Sequence, residues 1–154
     1  MAQSKIGNVN TQALLDTMPS RNMAMQKLME FEAAGKQELK EMQADFEKAV
    51  SDYQIKKPTL SPVLQKIEEE KLYKKEQALY ERQQSLETEL QAYSQELNGP
   101  ILNRVQEAIK IVSEREKMSY VIDQNVTLYF DKTLDITNKV ITELLKLDRA
   151  EMPN

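Results

Sequence analysis

The middle of the chain carries apolar positions at steps of three and four residues. From about Arg21 to Tyr53 only Gly35 interrupts a helix-forming composition. A narrow stripe of this kind is typical of a helix that packs on one or two partner helices. We therefore predict a long coiled-coil helix here. Its seam positions are Leu28, Phe31, Gly35, Leu39, Met42, Phe46, Ala49 and Tyr53.

A second repeat follows a break that contains two prolines. Pro58 and Pro62 stand four residues apart and cannot both lie inside one regular helix, whereas Ser61 before Pro62 is typical of a helix start. The short connection predicts an antiparallel hairpin that runs to about Asn98, with its tip near residues 54–62. Its second seam is predicted at Leu72, Glu76, Leu79, Gln83, Leu86, Leu90, Tyr93 and Leu97.

Two of those seam positions, Glu76 and Gln83, are polar. Polar residues at core positions of a coiled coil reduce its stability. We therefore expect a loosely packed, solvent-wetted hairpin, which is also compatible with a flexible arm.

The first residues predict a short strand and a short helix. Lys5–Asn10 reads as the strand, Thr11 as the cap of a helix that stops near Pro19, and Ser20 as the cap of the long helix.

The last third of the chain has a wider apolar stripe. Asn98-Gly99-Pro100 predicts a break or kink, and the stripe that follows is typical of a helix facing a real core. Tyr120–Asp123 reads as a strand, Gln124–Val126 as a turn and Thr127–Phe130 as the partner strand. Asp135-Ile136-Thr137 begins a last helix. The stripe consists of Ile101, Val105, Ala108, Ile109 and Val112.

Together these elements predict an α+β fold that is mostly α. Residues 21–98 would form a coiled-coil arm projecting from a small β-containing base made of residues 1–20 and 99–154. A base of about 75 residues is marginal alone, so we expect oligomerisation to complete it. The candidate oligomerisation residues are Ile6, Val9, Val121, Ile122, Leu128 and Phe130.

Composition removes much of the chemistry of enzymes. The chain has no cysteine and no histidine, which excludes disulfides, thiolate nucleophiles, imidazole catalysis and Cys/His metal sites. No glycine-rich phosphate loop and no GxSxG motif occurs. We therefore predict a protein that is not an enzyme, with no catalytic residue, cofactor or metal. A net charge of −4 argues against a nucleic-acid partner.

Methionine and aromatic residues are the candidates for binding other proteins. Methionine is flexible and is common on surfaces that accept varied partners. Met18 is expected to fill the joint between arm and base, whereas Met25 and Met29 suit packing and binding equally. The client-binding candidates are Met25, Met29, Phe31, Phe46 and Tyr53.

Charge is uneven along the arm. Tyr53–Lys75 contains six lysines and three glutamates. A solvated coiled-coil surface accounts for this pattern. The alternative is a lysine-rich tip that makes weak contact with anionic lipid or acidic partners.

The two ends of the chain resemble the Skp/OmpH family of periplasmic chaperones. The opening segment Lys5–Asn10 with Leu14-Leu15 is similar to that family's first strand and helix, and no glycine stands at Met118-Ser119, where members often carry one. The motifs of the C-terminal part are Pro100-Ile101-Leu102, Ala108-Ile109, Tyr120–Asp123, Leu128–Asp131 and Asp135–Val140.

This resemblance implies a jellyfish-like homotrimer in the periplasm, reached after removal of a signal peptide. Three helical arms would enclose a cavity that holds unfolded outer-membrane β-barrel proteins without ATP. The alternative is a structural coiled-coil scaffold or adaptor.

Overall fold

The structure is a computed structural model that describes residues 5–151. These residues fall into two compact units. One unit is formed by the chain up to Gln26 together with the chain from Gln95 onward, and the other by Lys27–Ser94. Each unit is described separately.

The first unit contains a two-stranded parallel sheet. Strand β1 (Ile6–Val9) pairs with β2 (Tyr120–Asp123), with Ile6 opposite Tyr120 and Val9 opposite Asp123. The predicted hairpin between Tyr120–Asp123 and Thr127–Phe130 is therefore wrong. Gln124–Val126 forms a 3₁₀ turn whose Asn125 N–H donates to the Asp123 carboxylate at 3.0 Å, and Thr127–Phe130 does not form a strand.

Asn8 ties the segment after β2 back to β1. Asn8 is buried, its carbonyl oxygen accepts from the Ile136 N–H at 2.9 Å, and its side-chain oxygen accepts from Gln124 Nε2 at 2.7 Å. The Asn8 side-chain nitrogen, Nδ2, donates to the Asp131 carbonyl oxygen at 3.2 Å. These bonds satisfy a buried polar side chain and hold an otherwise irregular segment.

Helix α1 (Thr11–Asp16) is capped one residue earlier than predicted. The Asn10 side chain accepts from the Ala13 N–H at 2.9 Å, as an N-cap residue does. Thr11 instead donates its hydroxyl to the Asp123 carboxylate. Asparagine and threonine both cap helices, and the adjacent pair left the sequence ambiguous.

Three further helices complete the chain, and the first two pass through both units. They are α2 (Pro19–Lys56), α3 (Pro62–Arg115) and α4 (Thr137–Glu151). Pro100 lies inside α3, so of the break or kink predicted at residues 98–100 the break does not occur. A proline removes one backbone donor, and burial of Ile101, Val105 and Ala108 beyond it favours continuation of the helix.

The core of the first unit lies between the sheet and the helix segments of that unit. Each contributes an apolar face, as the wide stripe predicts. The buried residues are Val9, Leu14, Met18, Ala24, Ile101, Val105, Ala108, Val112, Ile136, Val140 and Leu144.

The second unit is an antiparallel hairpin of α2 and α3, joined by a 3₁₀ turn at Lys57–Thr59. Ser61 begins α3 as predicted, because its hydroxyl accepts from the Leu64 N–H at 3.4 Å. The contacts between the two helices show that they run antiparallel, because residues later in α2 contact residues earlier in α3. The facing pairs include Phe31 and Tyr93, Glu38 and Arg82, Asp45 and Lys75, and Tyr53 and Glu69. The predicted α+β, mostly helical fold with a long antiparallel hairpin is confirmed.

Candidate functional site

The two methionines chosen as binding candidates are exposed. Met25 is 52% exposed and Met29 is 67% exposed. Met25 belongs to the first unit and Met29 to the second, and both lie on α2. Each presents a flexible apolar side chain to solvent. Met18 is fully buried in the core of the first unit.

The three aromatic candidates are partly used by the hairpin itself. The Phe31 ring lies 5.1 Å from the Tyr93 ring in a tilted arrangement, and Phe46 is partly buried. The Tyr53 hydroxyl donates to Glu69 Oε1 at 2.5 Å, which raises the pKa of Tyr53 and lowers that of Glu69. Their apolar area is therefore only partly open to a partner.

The seam of α3 differs from the prediction at two positions. Glu76 and Gln83 are exposed, whereas Arg82 is partly buried. Its guanidinium donates from Nε to Glu38 Oε2 at 2.9 Å and from Nη1 to Glu89 at 3.1 Å, hydrogen bonds that raise the pKa of Arg82. The 4-3 spacing that starts at Leu72 predicts Gln83 inside the seam, but the structure steps by three residues from Leu79 to Arg82 and turns Arg82 toward Glu38 of α2.

Lys75 makes the corresponding contact nearer the tip. Its ammonium group pairs with the Asp45 carboxylate across the hairpin, and this hydrogen bond lowers the pKa of Asp45. Such exposed ion pairs add little to the free energy of unfolding because water and salt screen them, so they set the register of the hairpin more than its stability. Polar contacts across the hairpin therefore exist, but Arg82, which is partly buried, and Lys75, which is exposed, make them instead of Glu76 and Gln83.

Sequence reasoning missed several exposed apolar residues on the hairpin. They stand outside the three- and four-residue repeat, and an apolar residue off a narrow seam is the signal that would have found them. Tyr73 is 61% exposed and Tyr80 is 59% exposed, with the Tyr80 hydroxyl accepting from Gln84 Nε2 at 2.7 Å. Near the turn the exposed residues are Ile55, Val63, Leu64 and Ile67.

The turn also carries exposed lysines. Lys57 lies 3.5 Å from Glu69 and 5.4 Å from the centroid of the Tyr53 ring. Lys56 and Lys66 are exposed as well. The lysine-rich tip predicted from the sequence is thus an exposed surface that mixes cations with apolar side chains.

A second apolar surface lies beside the sheet in the first unit. Ile6 is 45% exposed, Ile122 is 40% exposed and Leu128 is fully exposed. Ile6, Ile122 and Phe130, which is partly buried, line a shallow depression of about 290 Å³. Exposed apolar side chains grouped in this way are typical of a surface that another protein covers.

The other two oligomerisation candidates are used differently. Val9 is only 2% exposed and belongs to the core of its own chain, so its surface is already covered. Val121 is partly buried and packs against that core. Of the six candidates, Ile6, Ile122, Leu128 and Phe130 keep apolar surface open to solvent.

Between residues 5 and 151, no group of three or more aspartate and glutamate side chains is arranged to hold a metal ion. Over the same residues, no helix combines the length and hydropathy needed to cross a membrane.

Comparison with known proteins gives one consistent result. A protein named chaperone protein Skp from Pectobacterium atrosepticum is 28% identical over 145 residues, which cover 93% of this chain and 87% of that protein. The chaperone protein Skp of Photorhabdus laumondii is 26% identical over 144 residues, with the same coverage.

The fold is similar to that of a solved structure from Caulobacter crescentus described as an OmpH-like outer membrane chaperone. The TM-score is 0.83 at 16% sequence identity, and the match covers 96% of this chain and 87% of that chain. Residues 5–144 match the family described as outer membrane protein (OmpH-like). Since that match spans most of the sequence, the chain belongs to the OmpH-like family.

Proposed function

We propose that this protein is an ATP-independent holdase chaperone of the periplasm that keeps unfolded outer-membrane β-barrel proteins from aggregating. The observation that carries the proposal is the number of large apolar side chains that α2 and α3 leave in solvent. Such side chains at several places on the two helices offer contacts to a client without one defined pocket. These residues are Met23, Met25, Met29, Ile55, Val63, Leu64, Ile67, Tyr73 and Tyr80.

Many weak contacts suit an unfolded client. Each exposed side chain contributes little, yet simultaneous contacts raise the overall affinity by orders of magnitude. Shielding of apolar strands also prevents two clients from pairing through their edges. Release needs no nucleotide in this scheme, because folding of the client competes with binding.

We infer that the chain assembles as a homotrimer through Ile6, Ile122, Leu128 and Phe130. Their exposed apolar surface in a single chain supports association, and the number of copies is the one that the family resemblance implies. Changing Ile122 to Asp would place a charge in the interface, which costs several kcal/mol. We expect this variant to sediment as a monomer, and an unchanged trimer would contradict the assignment.

We also infer weak contact between the lysine-rich tip and anionic lipid. Lys56, Lys57 and Lys66 supply positive charge, and Ile55 and Val63 supply exposed apolar side chains beside them. A lysine near an anionic bilayer contributes about 1 kcal/mol. Cosedimentation should detect binding to phosphatidylglycerol vesicles and a marked reduction with neutral vesicles or high salt. Equal binding to both vesicles would contradict a charge-based contact.

The main test is protection of a client from aggregation. A urea-unfolded β-barrel outer-membrane protein is diluted into buffer with and without the purified protein, and light scattering is followed. We expect suppression at near-stoichiometric amounts without ATP. Scattering that is unaffected at a large excess of the protein would refute the holdase function.

A further inference from the structure

The sulfur chemistry of this chain is confined to methionine. The sequence has eight methionines and no cysteine, histidine or tryptophan. Thioethers are therefore the side chains that a mild oxidant attacks first. How each thioether responds depends on its exposure.

The methionines differ widely in solvent exposure. Met29 is 67% exposed, Met25 is 52% exposed and Met23 is 44% exposed, all in the first third of α2. Met18, only five residues before Met23, is fully buried. Met42 is partly buried. An oxidant in solution reaches the first three and is excluded from Met18.

We propose that Met23, Met25 and Met29 are oxidant-responsive modification sites through which peroxide lowers the protein's grip on its clients. This inference rests on the holdase function proposed above. Each of the three residues is modified independently.

The reaction balances without any group from the protein. A lone pair of the thioether sulfur attacks one oxygen of hydrogen peroxide, the O–O bond breaks, and a sulfur–oxygen bond forms. The departing hydroxide takes the proton from the oxygen that is now bound to sulfur and leaves as water. The sulfur is oxidised by two electrons, the peroxide is reduced by two, and the product is methionine sulfoxide.

The sulfoxide changes what the helix offers to a client. A flexible apolar side chain becomes a polar one with a strong hydrogen-bond acceptor, which is solvated by water and disfavours apolar contact. Since all three residues are exposed on the helix, the core is left intact. The modification therefore acts on binding while the fold persists, and it is reversible by methionine sulfoxide reductases.

The test has two independent readouts. The intact protein is treated with graded hydrogen peroxide, the peroxide is removed, and sulfoxides are located by peptide mass spectrometry. We expect Met29, Met25 and Met23 to be oxidised well before Met18, with circular dichroism unchanged. Rapid oxidation of Met18, or slow oxidation of the three exposed residues, would overturn the site assignment.

The second readout is affinity for a urea-unfolded β-barrel protein. Oxidation should weaken binding by about threefold to tenfold, the loss expected when a few soft contacts are removed, and reductase treatment should restore it. The matched variant carries Met23→Leu, Met25→Leu and Met29→Leu. Whatever affinity it has untreated, peroxide should leave that affinity unchanged.

Equal loss in the wild type and the leucine variant, or no loss in the oxidised wild type, would overturn the proposed effect on clients. If the untreated wild type binds no client at all, the holdase proposal fails instead. Mass spectrometry still decides the oxidation sites in that case, so the two failures are distinguishable.

Discussion

Lys117 occupies a backbone conformation that favours glycine. Its φ is 55°, and it is the one non-glycine residue with positive φ in the described chain. The Met118 N–H donates to the Ser113 carbonyl at 2.8 Å and the Lys117 N–H to the Glu114 carbonyl at 3.2 Å, which is a Schellman ending of α3. The chain thus forms the left-handed cap that a glycine normally provides.

Replacing Lys117 with Gly should stabilise the protein. A left-handed conformation costs a non-glycine residue about 1 kcal/mol, and glycine avoids most of that strain. Chemical denaturation should show a gain of about 0.5–1 kcal/mol. The control Lys117→Val should lose stability, because a β-branched residue tolerates positive φ poorly, and a Val variant as stable as wild type would contradict the assignment.

Gly35 of α2 lets the Leu86 side chain of α3 pack directly against the backbone of α2. A Cβ at this position would lie 2.8 Å from Leu86 Cδ2 and 3.1 Å from Leu86 Cγ, and closer still to Cδ1. Leu86 is only 5% exposed and is the most buried leucine of the hairpin. The missing side chain of Gly35 is therefore the space that Leu86 fills.

Gly35→Ala should destabilise the protein although alanine favours helices. The gain in helix propensity is about 1 kcal/mol, and overpacking against Leu86 costs about 1–3 kcal/mol. The matched control is Gly99→Ala, where nothing lies within 4 Å, so only the gain should appear. Thermal melts that move in the same direction for both variants would show that Leu86 yields without cost.

At the level of elements, the start of α2 is held by a residue far away in sequence. Asp148 is fully buried on α4 and accepts from the Ser20 N–H at 3.1 Å and the Ser20 hydroxyl at 2.5 Å. Arg104 Nε lies 3.1 Å from Asp148 Oδ1, close enough for an ion pair but without the alignment of a hydrogen bond. The predicted capping role of Ser20 is therefore wrong, since Asp148 caps α2 through it.

Asp148→Asn should lower stability by about 3 kcal/mol. The substitution keeps the shape but removes the buried negative charge beside the Arg104 guanidinium, which then keeps only its pair with the exposed Glu151 at 2.6 Å. Hydrogen exchange should increase at the first turn of α2, which loses its anionic cap. The control Lys139→Gln breaks an exposed pair with Glu116 and should cost much less stability, because water screens that pair. Similar losses in both variants would refute the buried cap.

The spacing of apolar residues predicted the long helices well, because apolar residues recur on the face of a helix that is buried. Every predicted seam position of α2, from Leu28 to Tyr53, is at least partly buried. The repeat wrongly predicted Glu76 and Gln83 as seam positions. Apolar spacing alone does not show that Arg82 pairs with Glu38 across the hairpin. It failed again at Thr127–Phe130, because the pairing of Tyr120–Asp123 with Ile6–Val9 depends on residues more than a hundred positions apart.

The binding surfaces were only partly predictable for a related reason. Residue type alone points to Met25 and Met29, which are exposed, whereas Tyr73 and Tyr80 are exposed residues outside the seam repeat. A surface that receives varied partners leaves no fixed spacing in the sequence. Val9 shows the converse, since a strand residue suited to an interface was needed by the core of its own chain.

For the whole molecule, the two compact units allow assembly and client holding to be separated. The buried core residues of the first unit, among them Leu14, Val112 and Leu144, all lie outside residues 27–94. Removing the hairpin therefore removes no buried residue from that core. The depression lined by Ile6 and Ile122 also remains.

Replacing residues 27–94 with a short flexible linker should leave a folded, assembled protein that no longer protects clients. Assembly is expected to persist because its candidate residues remain, and protection is expected to fail because most of the exposed apolar side chains of α2 and α3 are gone. Analytical ultracentrifugation would measure the assembly, and light scattering with a urea-unfolded β-barrel protein would measure protection. Full protection by an equal concentration of the shortened protein would place the client site in the first unit. Dissociation of the shortened protein would instead show that the hairpins themselves hold the copies together, as a scaffold requires.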